Sequence, residues 1–364
     1  MLDLDQCKKR QQRLLDVLAN TGLEAAVVAL PQHVYYFTAH LTHWTHHSAL
    51  VLRADGRSWL LTANQPAKAA AVDDLAAYEA NWLGTQRQEQ PAVVADLVHE
   101  RLGSLKRVGF DASMPASQLL LRGGRAYQPI DPHLWQMRRQ KDPDELALMR
   151  VAIHACQAMY ARARQIIAPG TSELQVFAEL HSAAVHATGE PMTALLGNDY
   201  AAGVGGGPPR KDHVAQDGQI YILDLGPTNR GYFADNCRAF AVNGRPTDAQ
   251  AKACDIIKGA LAIVQKLARP GVRCRDIYDA VDAHYREHLG RGLFHHLGHG
   301  VGLQPHEFPH LNPKWDDVLL ENEVFTAEPG IYGPDLAGGI RLENQYLVTA
   351  GGVETLVDYP LDLA

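Results

Sequence analysis

Residues 141–173 read KDPDELALMRVAIHACQAMYARARQIIAPGTSE. The stretch opens with the marks of a helix start. Asp142 can cap free backbone N–H groups, Pro143 suits the first helical position, and Glu145 completes a capping box. Met149, Ile153, Cys156, Tyr160, Ala163 and Ile167 then recur at three- and four-residue steps, which predicts a long helix with one apolar face. Pro169-Gly170 ends it, and Thr171-Ser172-Glu173 begins a second helix. The arrangement returns downstream: a helix across Gln250–Leu267 stops at Pro270-Gly271, and another begins after Cys274 and runs to Leu289-Gly290. Helix, Pro-Gly break, helix and strands therefore occur twice. This predicts a structural repeat whose two halves can place one site on a shared axis.

Upstream of this region the chain alternates helix and strand patterns. Lys8 to Leu18 is amphipathic, and Ala25–Leu30 is a short apolar run closed by Pro31. Ser48–Leu52 is another such run, ended by Asp55-Gly56. Short apolar runs between helical segments predict an α/β domain with a mixed sheet. A boundary is expected near Arg138–Lys141, and 364 residues are more than one core normally serves.

Composition narrows the function classes. A hydrophobic share of 46% with 21% charged residues is enough apolar material for a sizeable core without disulfides. The five cysteines are scattered and form no CxxC pair, so neither a zinc knuckle nor a disulfide framework is indicated, and a reducing cytoplasm fits. The N-terminus lacks a basic start leading into an apolar run, so no signal peptide is expected, and no apolar run approaches the ~20 residues of a membrane span. A net charge of −7 without a Lys/Arg block argues against nucleic acid as a partner.

The chemistry-bearing residues lie in the strands after each helix pair. Gln219–Gly226 reads as a strand with Asp224 near its end, Pro227–Gly231 as turn chemistry, and Tyr232–Phe240 as a returning strand carrying Asp235. A hairpin of this kind points both carboxylates to one face. In the second half, His295, His296 and His299 fall within five residues, interleaved with glycine, and His306-Glu307 follows. Thr326–Gly330 closes an apolar strand with Glu328, and Gly339–Asn344 opens another in which Arg341 and Glu343 alternate onto one face. Four carboxylates cannot share one pocket without cations, because mutual repulsion would protonate some of them. Hard oxygen donors with one imidazole suit two divalent ions, Mn²⁺ or Co²⁺ first, Zn²⁺ or Fe²⁺ next.

These segments, in this order from Arg138 to Thr349, resemble the creatinase/aminopeptidase ("pita-bread") superfamily of metallopeptidases, and within it the Xaa-Pro dipeptidases and Xaa-Pro aminopeptidases. The resemblance rests on Lys141–Glu145, the Asp-Leu-Gly strand at Asp224, Gly231–Asp235, Gly298–Leu303 with His306-Glu307, Glu328–Tyr332 and Gly339–Glu343. It implies an α/β (α+β) chain: a creatinase-like domain over residues 1–135, in which Val34–Thr38 is the most suggestive stretch, and a pita-bread domain with a pseudo-twofold repeat over 136–364. It further implies an exopeptidase that hydrolyses Xaa-Pro bonds of dipeptides or short peptides with a metal-bridging hydroxide. Asp224, Asp235, His299, Glu328 and Glu343 would hold the two ions. Glu328 would also shuttle a proton, His295 and His306 would contact the scissile carbonyl or the substrate, and Arg341 would orient neighbouring carboxylates. A homodimer is implied as well.

The chain departs from the family pattern at three places. Relatives place a histidine on the loop before the Asp224 strand, where this chain has Gly205-Gly206-Gly207, and the nearest histidine is His213. Asn236-Cys237-Arg238-Ala239 stands where hydroxyl residues are usual, and Asn344 where an acidic residue is common. Two alternatives therefore stay open: a C–N hydrolase or lyase of the same superfamily acting on a small metabolite, and a catalytically inactive binding homologue.

Overall fold

The computed structural model describes residues 1–66, 68–112, 124–192 and 197–363, and divides the chain into two units, Met1–Arg138 and Arg139–Ala364. The first unit contains α1 (Leu4–Thr21), β1 (Ala25–Val28), α2 (Pro31–Thr38), β2 (Ala49–Arg53), β3 (Ser58–Ala63) and β4 (Asp74–Tyr78). A small hairpin of β5 (Asn81–Trp82) and β6 (Thr85–Gln86), α3 (Gln90–Leu102), β7 (Arg107–Phe110), β8 (Ala126–Pro129) and α4 (Asp131–Arg139) follow. Its six-stranded sheet has the order β4-β3-β2-β1-β7-β8. β1 pairs antiparallel with β2 and parallel with β7, so the sheet is mixed. Val27, Val51, Leu61 and Val108 are buried beneath α3 residues Val94 and Val98, and burying each such side chain contributes about 1.5–3 kcal/mol.

The second unit opens with α5 (Pro143–Ile166) and α6 (Glu173–Thr188). The Glu145 carboxylate accepts from the Asp142 N–H at 2.9 Å, as the capping pattern predicts, and also from the Tyr232 hydroxyl at 2.9 Å. The helix start is thereby tied to the strands that follow: β9 (Gly197–Ala202), β10 (Ile220–Leu225), β11 (Thr228–Asn229), β12 (Tyr232–Phe233) and β13 (Asn236–Ala241). Then come α7 (Asp248–Leu267), α8 (Cys274–Leu289), β14 (Gly298–Gly300), β15 (Glu307–Leu311) and β16 (Val324–Ala327). β17 (Gly330–Gly333), β18 (Gly338–Arg341), β19 (Asn344–Thr349) and β20 (Gly352–Thr355) complete it.

The two halves repeat down to single hydrogen bonds. After α5, the Gly170 N–H donates to the Ala215 carbonyl and the Ala215 N–H returns to Thr171. After α7, the Gly271 N–H donates to Leu319 and the Leu319 N–H returns to Val272. Each Pro-Gly break thus pins the start of its second helix to a later strand segment, with matching bridges Ser172–Val214 and Arg273–Val318. The strands form a β13-β10-β9 sheet in one half and a β15-β14-β16-β19-β20 sheet in the other. Ile222, Ile257, Ile277, Phe325 and Leu342 belong to one buried cluster that joins them.

Two strands expected to be continuous are broken. Tyr232–Phe240 divides at Ala234-Asp235, because the Ala234 N–H turns to Pro227 and the Asp235 N–H to the Gln345 side chain at 3.1 Å. Gly339–Asn344 divides at Leu342-Glu343, where the Glu343 N–H donates to Cys237 at 2.9 Å. Both breaks fall at carboxylates that face the same cleft.

Candidate metal centre

Asp224 is the penultimate residue of β10 and lies opposite Cys237 of β13, which sets Asp235 just ahead of that pairing. His299 is the middle residue of β14, flanked by glycines for a steric reason. A Cβ at Gly298 would run into the Thr326 carbonyl, and one at Gly300 into that of Phe308. The neighbouring strands can press on both sides of His299 only because no side chain intervenes. Glu328 follows β16 and is fixed by its N–H donating to Leu297 at 2.8 Å. Glu343 occupies the link between β18 and β19.

All these residues line one cleft of about 270 Å³, together with His295, His306, Arg341, Asp199 and His296. The five expected metal ligands, His295, His306 and Arg341 are therefore brought together. Asp224, Asp235 and Glu343 offer donor atoms within 4.8 Å of one another, and so do His299, Glu328 and Glu343. Glu343 belongs to both trios. Asp235 and His299 also group with His306 at the same limit.

The electrostatics are those of an anionic pocket withdrawn from water. Burial pushes the Asp224 carboxyl up to about 6, against the pull of Arg341. Burial, then the charges of Asp224 and Glu328, raise Asp235 well above its ordinary value. Glu343 is raised by burial, then by Asp235 and Asp224, and Glu328 is raised by burial against His296 and Arg341. Burial lowers the His299 imidazole to about 4, so it is neutral near pH 7. Its Nδ1 lies 3.0 Å from the Gly300 carbonyl, which places the ring proton there and leaves the Nε2 lone pair facing Glu328 Oε1 at 3.3 Å.

Two carboxylate oxygens, Asp224 Oδ1 and Glu343 Oε2, are buried without a hydrogen-bond partner among the described residues. Native proteins rarely leave such atoms unsatisfied. Unpaired oxygens, like charges held in low dielectric and a neutral imidazole lone pair together fit divalent cations and little else.

The remaining histidines differ in their freedom. His295 is engaged at both nitrogens, Nδ1 to the His296 carbonyl at 2.7 Å and Nε2 to the Tyr332 hydroxyl at 2.9 Å. The His306 ring stacks on His299, centroids 3.6 Å apart and planes at 16°. Partial burial and then His299 and His310 push it down to about 4. Three participants went unassigned in the sequence reading. His296 Nδ1 lies 3.5 Å from Glu328 Oε1, the Tyr332 hydroxyl accepts from Arg341 at 3.1 Å, and Asp199 pairs with Arg341. His296 and Tyr332 sat inside the quoted motifs, whereas nothing local marked Asp199. His213 lies outside the cleft, 3.8 Å from Glu173.

Comparison with known proteins places this geometry. The model of metallopeptidase family M24 matches residues 147–350, and that of the creatinase/prolidase N-terminal domain matches residues 10–139. An uncharacterized peptidase of Staphylococcus aureus is 26% identical over 356 residues, covering 95% of this chain and 98% of that protein. A Xaa-Pro dipeptidase of Pyrococcus horikoshii is 27% identical over 269 residues, covering 72% of this chain and 76% of the relative. Among solved structures, a Xaa-Pro dipeptidase from Bacillus anthracis superposes with a TM-score of 0.83 at 22% identity, covering 98% of this chain and 99% of that one.

Proposed function

This chain belongs to metallopeptidase family M24, with a creatinase/prolidase N-terminal domain, and from that premise we propose that it is a two-metal exopeptidase cleaving Xaa-Pro bonds of dipeptides or short peptides. The observation that carries the reading is the pair of donor trios sharing Glu343 at the wall of one small cleft. Asp224, Asp235 and Glu343 would hold one ion, and His299, Glu328 and Glu343 the other, with Asp235 able to serve both. Mn²⁺ or Co²⁺ suits this oxygen-rich set, with Zn²⁺ or Fe²⁺ as further occupants. Bound there, the ions supply an acidified water and polarise the scissile carbonyl.

The protein's own groups account for the rest. Burial holds the Glu328 carboxyl above its usual range, so this carboxylate is placed to take a proton from the acidified water and pass it to the leaving amine. His306, neutral and at the cleft surface, is placed to donate to developing negative charge on the carbonyl oxygen. His295 is the second substrate contact and must exchange its Tyr332 partner to act as one. Arg341 donates to Asp224 Oδ2 at 2.8 Å and so orients it. Proline has no amide N–H and a fixed ring, so selection would rest on pocket shape.

A second reading, a C–N hydrolase or lyase acting on a small amine-bearing metabolite, is favoured by one feature. The Gly205-Gly206-Gly207 loop stands where the family resemblance leads to the expectation of a histidine, and none of its three residues carries a side chain. The discriminating experiment is a panel of Xaa-Pro dipeptides, Xaa-Pro-Yaa tripeptides and non-proline controls on Mn²⁺-, Co²⁺- and Zn²⁺-loaded protein. Turnover of Ala-Pro that stops on chelation and returns with metal supports the peptidase. Metal-loaded protein inert on the whole panel favours the second reading, and protein that takes up no metal favours a binding homologue.

The cytoplasm is the proposed location, supported by free, buried cysteines; no described helix is long and apolar enough to cross a membrane. A homodimer rests on the family resemblance, and light scattering tests it.

A further inference from the structure

Asp199 of β9 stands in register opposite Asp224 of β10. Side chains directly opposite on antiparallel strands share a face, and like charges so placed repel. Here one guanidinium nitrogen of Arg341 donates to Asp199 Oδ2 and to Asp224 Oδ2. The other Asp199 oxygen accepts from the Gly207 N–H at 2.6 Å, so both carboxylate oxygens are engaged.

The triple-glycine loop follows from this arrangement. Gly206 has φ +141°, and a Cβ there would lie 2.7 Å from the Asp199 carboxylate. A Cβ at Gly205 would press on the Tyr332 ring at 3.1 Å. Tyr332 in turn receives Arg341 through its hydroxyl. The loop is thus bare where it closes over the two residues that hold Arg341.

We propose that Asp199 is a positioning residue: it neutralises and anchors Arg341, so that the guanidinium orients Asp224 without competing with a cation for it. The charge balance is consistent. With Asp199 and Arg341 cancelling, Asp224, Asp235, Glu328 and Glu343 carry the four negative charges that two divalent ions match. Without Asp199, the guanidinium charge falls on Asp224 and on Glu328, whose Oε2 lies 3.8 Å from Arg341 Nε. The inference rests on the two-metal reading and assigns a role that the sequence pattern does not contain.

The test is Mn²⁺ titration calorimetry on metal-stripped full-length protein, with the Mn²⁺ electron paramagnetic resonance signal as a second readout. Asp199→Asn should weaken Mn²⁺ binding about 10–100-fold, the usual scale for a group behind a metal ligand. Adding Arg341→Met to Asp199→Asn restores the net charge and should recover much of that loss, which a merely structural role would not produce. Gly206→Ala displaces Asp199 without changing any charge and should lower affinity in the same direction; it decides the matter if Asp199→Asn does not fold. An Asp199→Asn protein that binds within twofold of wild type overturns the inference, as does a double variant no tighter than the single. In both cases the two-metal reading stands. Wild-type protein that takes up no Mn²⁺ overturns both.

Discussion

His299 Nε2 lies 3.3 Å from Glu328 Oε1, with the ring's other nitrogen committed to the Gly300 carbonyl. A neutral imidazole held this way presents a lone pair to a carboxylate that also presents lone pairs, an arrangement that gains little by itself. It becomes favourable when a cation lies between them. The same holds for Asp224, Asp235 and Glu343, so the metal-free site stores electrostatic repulsion that ions relieve.

Glu343→Gln should therefore split stability from function. Removing one buried charge from the repelling set raises the melting temperature of the metal-free protein by a few degrees, on the scale of ~2–4 °C per kcal/mol for a unit of this size. The same change removes the residue common to both trios and lowers kcat/KM at least ~100-fold. Thermal melts in chelator, beside assays in Mn²⁺, check both; a metal-free protein that melts lower than wild type would contradict the repulsion argument.

Metal-free stability should fall as pH rises. The Asp224 carboxyl titrates at about 6 in the folded chain, against ~3.9 when unfolded, so the folded state binds the proton more tightly. A group raised in this way contributes stability that is present below ~4 and lost as pH climbs through about 6; Asp235 and Glu343 are raised as well and add to the loss in the same direction. Mn²⁺ displaces those protons, so its stabilising effect should grow over the same range. Denaturant melts at pH 5 and 8, with and without Mn²⁺, measure it. Metal-free protein equally stable at both values would contradict the shifts.

His306→Ala separates a substrate contact from a ligand. His306 groups with Asp235 and His299, yet its ring stacks on His299 and reaches the surface. The expected outcome is a loss of ~10²–10³ in kcat with the Mn²⁺ stoichiometry unchanged, as for removal of an oxyanion donor. Loss of one bound ion instead would make His306 a ligand.

Gly298→Ala should destabilise the whole unit by about 1–3 kcal/mol or prevent folding, because the added methyl meets the Thr326 backbone rather than a side chain able to rotate away. Urea unfolding checks this, and a variant as stable as wild type would show that β14 and β16 can separate.

Much of this was legible in the order of residues. The capping pattern at Asp142–Glu145, the two Pro-Gly breaks and the carboxylates at strand ends are local signals, and each half of the repeat carries its own. The strand breaks at Asp235 and Glu343 were not legible, since their backbone partners, Gln345 and Cys237, come from segments remote in the chain. Asp199 was hidden for the same reason. Its value comes from standing opposite Asp224, a register set across the 203–219 loop that local pattern does not specify.

The central claim, a site for two divalent ions built by Asp224, Asp235, His299, Glu328 and Glu343, is tested most directly by counting ions. Calorimetric titration of metal-stripped wild-type protein with Mn²⁺ should reach two ions per chain, and Glu343→Gln should weaken both. A wild-type stoichiometry of zero or one, or Glu343→Gln binding two ions as tightly as wild type, would contradict it.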